Sequence, residues 1–258
     1  MTWPAKDNIL DLRRNHLAPS LSISYKEPLH IVRGTGQYLY DDRGREYLDG
    51  VNNIQHVGHC HPAVVKAAHE QYEKLNTNTR YLDGTIVQYA QELTSYLPKG
   101  LEICYFTNSG SESNDLALRL ARHFTNSKET IVLDGAYHGH TGVLIEISPY
   151  KFNGPGGSGA PDFVHTIPRP DPFRGKYRGP ESASGYLSEL ERIIQQLKKN
   201  GQRLGAMVAE PLMGCGGQVV FPKGFLKGAF EQVRHARGLC IADEVQIGFG
   251  RMGSHFWG

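Results

Sequence analysis

The sequence predicts an α/β protein: a largely parallel sheet with covering helices, preceded by a small β appendage. Two observations carry the prediction. Apolar runs of strand length, Ile103 to Thr107, Thr130 to Leu133, Gly205 to Ala209 and Leu239 to Ala242, alternate with segments of helical periodicity. Before Pro62 the pattern differs, with short strand-like runs joined by turn residues.

In chain order, Ile31 to Val32, Gln37 to Tyr40 and Glu46 to Leu48 read as short strands, with Asp41-Asp42-Arg43-Gly44 turning the chain between the last two. Pro62 suits a first helical position, and Val65, Ala68, Tyr72 and Leu75 recur at helical spacing behind it. A second helix is expected over Thr85 to Leu97, stopped by Pro98 and Gly100. Further helices fall at Ser111 to Phe124, with Leu116, Ala117, Leu120, Ala121 and Phe124 on one face, at Tyr186 to Lys199 and at Gly224 to Ala236. The segment from Asn153 to Pro180 is dense in Gly, Pro and Arg and breaks the alternation, so it is expected as an ordered excursion or, preferably, a mobile lid near the substrate. These patterns divide the chain into residues 1–55, belonging to a small domain, and 56–258, a large α/β domain.

Composition narrows the function. Hydrophobic residues make up 39% and charged residues 21% of 258, with a formal charge of +2, as in an ordinary soluble globular protein. No dense basic block suggests nucleic-acid binding, and the apolar runs are far shorter than the roughly 20 residues of a membrane span. The first eight residues resemble neither a signal nor a transit peptide, so the cytoplasm is the expected location. Cys60, Cys104, Cys215 and Cys240 are widely spaced and read as reduced core thiols. His56, His59, Cys60 and His61 have ligand-like spacing, but no second cluster completes a tetrahedral site, and no metal is expected.

The chemistry gathers at successive strand ends. After Ile103 to Thr107 comes Asn108-Ser109-Gly110-Ser111-Glu112, where Ser109 and Glu112 form a capping-box pattern at a helix start. Free N–H groups and the helix dipole favour an anion there, Gly110 admits close approach, and Ser111 adds a hydroxyl. Tyr137 follows the next strand and can stack on a planar ligand. Glu210 follows the third, ahead of the turn Gly214-Cys215-Gly216-Gly217, and Asp243 follows the fourth, where open α/β sheets place ligands. An anion cradle, an aromatic plate and two carboxylates describe a site for a phosphorylated, planar, nitrogen-containing cofactor.

Asn108-Ser109-Gly110-Ser111-Glu112, Tyr137-His138-Gly139, Glu210-Pro211 and Asp243-Glu244-Val245-Gln246-x-Gly248-x-Gly250-Arg251 resemble, in order, the class III aminotransferases. These are pyridoxal 5′-phosphate (PLP) enzymes of fold type I. The resemblance implies a mostly parallel sheet with helices on both faces, here truncated, and a homodimer in the full-length family. It also implies a cofactor set of Ser109, Gly110, Ser111, Tyr137, His138, Glu210, Asp243, Val245 and Gln246. In that set Gly110 and Ser111 hold the phosphate, Tyr137 stacks on the ring, Val245 packs on its other face, and Gln246 approaches the ring hydroxyl. Glu210 lies nearby, and Asp243 pairs with the ring nitrogen. An ion pair at about 4 Å is worth roughly 4 kcal/mol at an effective dielectric of 20, enough to keep that nitrogen protonated as an electron sink.

Two subfamilies are represented. His56-Val57-Gly58-His59-Cys60-His61-Pro62, Leu75 to Leu82, Ser148 to Phe152 and Arg174 to Arg178 resemble phospho-lyases of ethanolamine phosphate and phosphohydroxylysine. Pro222 to Leu226 and Gly253 to Trp257 resemble alanine–glyoxylate-type transaminases. The implied substrate is a small amine or amino acid, phosphorylated in the lyase reading, with Lys151, Arg174, Lys176 and Arg178 as holders of its phosphate or as a solvated basic loop. The family's aldehyde-binding lysine belongs on a strand edge beyond Asp243, whereas the last lysine here is Lys227. The chain is therefore expected to represent an N-terminal portion, inactive by itself. The alternative is a catalytically inactive fragment that binds PLP or pairs with a full-length homologue.

Overall fold

The structure, a computed structural model, describes residues 5–51 and 56–258, which form two compact units, Met1–Leu82 and Asp83–Gly258. The first unit contains helix α1 (Lys6–His16), strands β1 (Ile31–Thr35), β2 (Tyr38–Asp41) and β3 (Glu46–Leu48), and helix α2 (Pro62–Lys74). The strands make an antiparallel sheet in sequence order, with Leu39 opposite both Gly34 and Tyr47. Asp41 builds the expected turn: its Oδ1 accepts from the backbone N–H groups of Arg43 and Arg45 at 3.0 and 2.8 Å, and Gly44 adopts φ +77°. Residues 56–82, expected to open the large domain, group here with the small sheet. A reciprocal pair of backbone hydrogen bonds between Gly36 and His59, 3.0 and 2.8 Å, ties them to it. The expected boundary itself abuts residues 52–55, which lie outside the described residues.

The second unit runs α3 (Gly84–Ser95), α4 (Gly110–Thr125), β4 (Glu129–Leu133), α5 (Gly142–Glu146), α6 (Pro149–Phe152), β5 (Val164–Ile167), α7 (Ala183–Lys199), β6 (Leu204–Ala209), α8 (Phe225–His235) and β7 (Leu239–Ala242). Its four strands are parallel in the order β5-β4-β6-β7. Alternation along the strands sends side chains to opposite faces and so makes two cores. Ile131, Leu133, Ile167 and Met207 meet Tyr186, Leu190 and Ile193 of α7 and Phe225, Ala229 and Val233 of α8. Val132, Val164, Ala206 and Val208 meet Leu118 and Ala121 of α4 and Leu144 of α5. Helices on both faces bury the sheet, as a parallel sheet requires. Each large aliphatic side chain fully buried this way contributes about 1.5–3 kcal/mol.

The structure departs from the expectations in four places. Ile103 to Thr107 is not a strand: no ladder is formed along it, and Ile103 and Tyr105 remain 80% and 66% exposed. A strand is completed by its neighbour, and among the described residues this segment has none. The supposed excursion, in contrast, contains β5, the edge strand beside β4. On α4 the buried residues are Asn114, Leu118 and Ala121, while Phe124 of the expected face is 76% exposed. The cysteines are free, as expected, but only Cys240 packs against the core, partly buried, whereas Cys60 and Cys215 are exposed and Cys104 is only partly covered. No helix among the described residues is long and apolar enough to cross a membrane, and no cluster of His, Cys, Asp or Glu among them is arranged to hold a metal ion.

Candidate functional site

Strands β4, β6 and β7 lie side by side, and their C-terminal ends deliver Tyr137, Glu210 and Asp243 to one edge of the sheet. Asp243 is the hub. It is buried, its backbone N–H donates to Ala209 O at 2.9 Å, and its Oδ2 accepts from Asn114 Nδ2 at 2.8 Å and His138 Nδ1 at 2.9 Å. Among the described residues its Oδ1 accepts only from the Val245 backbone N–H, at 3.2 Å. A carboxylate offers about four lone-pair positions, so Oδ2 is filled and Oδ1 keeps capacity for one more donor. His138 is fixed in turn: its backbone N–H donates to the buried Ser148 Oγ at 3.0 Å, and its carbonyl accepts from Asn114 at 2.9 Å. With Nδ1 donating to Asp243, the buried Nε2 of His138 has no partner among the described residues.

Helix α4 starts beside this hub. Ser109 caps it, its Oγ accepting from the Glu112 N–H at 3.1 Å. The returning Glu112 Oε2 accepts from the Asn108 N–H at 2.8 Å, so the box closes one residue earlier than the sequence pattern implies. Capping uses the Glu112 N–H, and among the described residues those of Gly110 and Ser111 are left free at the helix start. Ser111 Oγ accepts from the His140 N–H at 3.3 Å, and a Cβ on Gly139 would stand 2.7 Å from that Oγ. Close approach of the two loops therefore depends on Gly139, which sits at φ +140°. Gly110 is packed as tightly on Val245, whose methyls lie 2.6 and 2.7 Å from where its Cβ would be.

Tyr137 is half-buried, its edge against Tyr150 with ring centroids 6.0 Å apart. Burial raises its phenol pKa, helped by Cys215 and Asp243. Glu210 is buried; its Oε2 accepts from the Gly214 N–H at 2.8 Å, and Oε1 has no partner among the described residues. Burial raises its carboxyl pKa, the Gly214 bond opposes, and Asp243 adds to the rise. Gln246 comes so near the same turn that a Cβ on Gly214 would stand 2.0 Å from its Oε1. Every residue of the expected set is thus placed at one sheet edge, Ser109 as the cap of α4 and Val245 with its side chain 62% exposed.

Of the four basic residues of the phosphate-holding expectation, one reaches this edge. Lys151 Nζ lies 5.5 Å from the centroid of Tyr137. Lys176 is paired with Glu189, Arg174 lies over Phe173 at 5.6 Å, and Arg178 bonds to Gly175 O. Sequence reasoning missed Asn114 and Ser148. Asn114 carried a signal, since with Leu118 and Ala121 it continues a stripe at spacings of four and three, where an amide needs a polar partner.

A cofactor fits these residues on the evidence of the side chains themselves. The spare acceptor of Asp243 suits a protonated ring nitrogen, the free N–H groups of α4 suit a phosphate, and Tyr137 offers a partly open ring. Comparison with known proteins agrees. The aminotransferase class-III family model matches residues 22–257. An alanine–glyoxylate aminotransferase 2-like protein of Drosophila melanogaster is 49% identical, over 98% of this chain and 52% of its own length. A phospholyase from Arthrobacter, solved in complex with phosphoethanolamine, superposes with a TM-score of 0.88 at 37% identity, over 96% of this chain and 58% of its own. An amine transaminase from an uncultivated Pseudomonas species, solved in a PLP-bound form, gives a TM-score of 0.81 at 25% identity, over 92% and 57%. The chain spans about half the length of the curated relative it matches. By sequence and by fold, this chain belongs to the class III aminotransferase family.

Proposed function

We propose that this chain carries the PLP site of a transaminase or amino phospho-lyase. The observation that carries the reading is the Asp243 hub, a buried carboxylate oriented by Asn114 and His138 with one acceptor position to spare. Gly110 and Ser111 bind the cofactor phosphate through backbone N–H groups and the Ser111 hydroxyl. Tyr137 stacks on one ring face, Val245 covers the other, Gln246 approaches the ring hydroxyl, and Glu210 borders the site. Asp243 accepts from the ring nitrogen and keeps it protonated. His138 and Asn114 hold Asp243 in place rather than touching the cofactor. When bound, the protonated ring supplies an electron sink for the bond broken at the substrate carbon.

No lysine follows Lys227 in these 258 residues. In this reading the chain by itself holds PLP without a covalent bond and does not turn over substrate. Pairing with a full-length homologue is the second reading, favoured by the same missing lysine. The domain division at residue 55 and a cytoplasmic location, both expected from the sequence, and the homodimer that the family resemblance implies belong to the proposal. The test is a PLP titration followed by ultraviolet absorbance, with borohydride treatment and peptide mapping. Saturable, equimolar binding is expected, weakened about 10- to 150-fold in Asp243→Ala, since a hydrogen bond to a charged group is worth about 1.5–3 kcal/mol. Lack of saturation sinks the cofactor reading, and a stoichiometric borohydride adduct on one lysine sinks the non-covalent one.

A further inference from the structure

Helix α6 is a single turn, yet it is fastened on both sides. Ser148 before it accepts from the His138 N–H, the Tyr150 N–H donates to Ala136 O at 3.0 Å, and Pro149 and Phe152 are buried. These anchors attach α6 to the loop that carries Tyr137. They leave Lys151 exposed, with Nζ 5.5 Å from the centroid of Tyr137 and 5.7 Å from that of Tyr150. Two aromatic rings give an ammonium a preferred place without neutralising it. Among the described residues Lys151 has no carboxylate partner, unlike Lys176 with Glu189 or Arg169 with Asp134. Its charge also reaches the turn after β6, where it opposes the rise that burial, Glu210 and Asp243 impose on the Cys215 thiol.

The other charged groups at this edge are mostly acids: Glu210 and Asp243 are buried and Glu244 is part-covered. An amine whose far end is anionic would be repelled by them, and Lys151 stands beside Tyr137 as a cation without a carboxylate partner among the described residues. We propose that Lys151 receives the distal acid group of the amine substrate, a phosphate monoester or a carboxylate, and so selects which amines the site takes. The inference rests on the cofactor reading above, in which Tyr137 stacks on the cofactor ring.

Stable secondary amines made by reducing PLP with an amine test it without a catalytic lysine. Conjugates of phosphoethanolamine, β-alanine and ethylamine share the cofactor part and differ only at the far end. Their affinities for the chain are measured by calorimetry. An anionic conjugate is expected to bind about tenfold tighter than the ethylamine conjugate. Lys151→Gln abolishes that gain while leaving the ethylamine conjugate unchanged, Lys151→Arg keeps part of it, and Lys176→Gln keeps all of it. Gain by the phosphate or by the carboxylate conjugate identifies the acid. Equal binding of anionic and neutral conjugates, or a gain that survives Lys151→Gln, overturns the role of Lys151 and leaves the cofactor reading standing. Failure of all three to bind overturns both.

Discussion

Replacing Asp243 separates its structural work from its chemistry. In Asp243→Ala, His138 Nδ1 and the Val245 N–H lose their acceptor, and Asn114 Nδ2 keeps only the His138 carbonyl. A buried donor left unpaired costs about 1–3 kcal/mol, and relief of the buried charge offsets part of the sum, so about 3 kcal/mol of stability is lost. Asp243→Asn keeps one oxygen where Asn114 and His138 need it and turns its amide nitrogen toward the Val245 N–H. Only the long 3.2 Å bond and the charge assistance go, a loss of about 1 kcal/mol. With a slope of about 2 kcal/mol per molar urea, the midpoints fall by about 1.5 M and 0.5 M. Urea unfolding followed by circular dichroism measures both. The order of the two variants decides the matter: if Asp243→Asn is as damaging as Asp243→Ala, the geometry of Oδ2 is not what holds the hub. PLP affinity should drop in both, because the amide nitrogen of Asn presents a donor where the ring nitrogen also donates.

Gly110→Ala places a methyl against Val245 and should destabilise the chain by about 1 kcal/mol, overpacking outweighing the gain in helix propensity. Adding Val245→Ala restores that loss, and a double-mutant cycle in urea that shows no coupling refutes the contact. Glu210 gives a pH signature. Burial raises its folded pKa above the ordinary 4.5, so between these values the native state binds more protons than the unfolded chain. Its contribution to stability is therefore intact below about 4.5, declines as pH rises through the folded value, and stays lost above it. Glu210→Gln cannot ionise, so its urea midpoint should overtake that of the parent as pH rises through the window. Parallel pH curves for the two proteins would count against a buried, raised carboxyl.

What the sequence made legible follows from how local each signal is. Apolar runs with polar residues at their ends gave β4, β6 and β7, and the carboxylates and the tyrosine just beyond those strands fell on the edge where the structure puts them. Ser109 was readable as a cap because capping is a matter of three residues. β5 was hidden, since Val164–Ile167 includes polar His165 and Thr166 on an edge strand and lies between Pro161 and Pro168. The opposite error, a strand at Ile103 to Thr107, has the same root: a strand needs a partner, and sequence shows only the apolar run. Asn114 was missed because the apolar face of α4 was drawn through Leu120 and Phe124, which the fold leaves exposed.

That misreading conceals the link between the two ends of the site. Ser111, at the start of α4 proposed to bind the phosphate, and Asn114, which holds the acid of the hub, lie on one helix about 4.5 Å apart along its axis. Leu118 and Ala121 seat that helix on the sheet core against Val132, Ala206 and Val208. Asp243 hangs from β7, and Asn114 connects it both to α4 and, through the His138 carbonyl, to the loop after β4. A cofactor gripped by phosphate and by ring nitrogen needs those two contacts at a fixed separation, and a packed helix fixes it better than two independent loops would. The same connection explains why a polar residue occupies the buried stripe of α4. An aliphatic residue at Asn114 would pack against the core, but it would leave Oδ2 of a buried aspartate with His138 as its one donor and the helix start without a link to the acid.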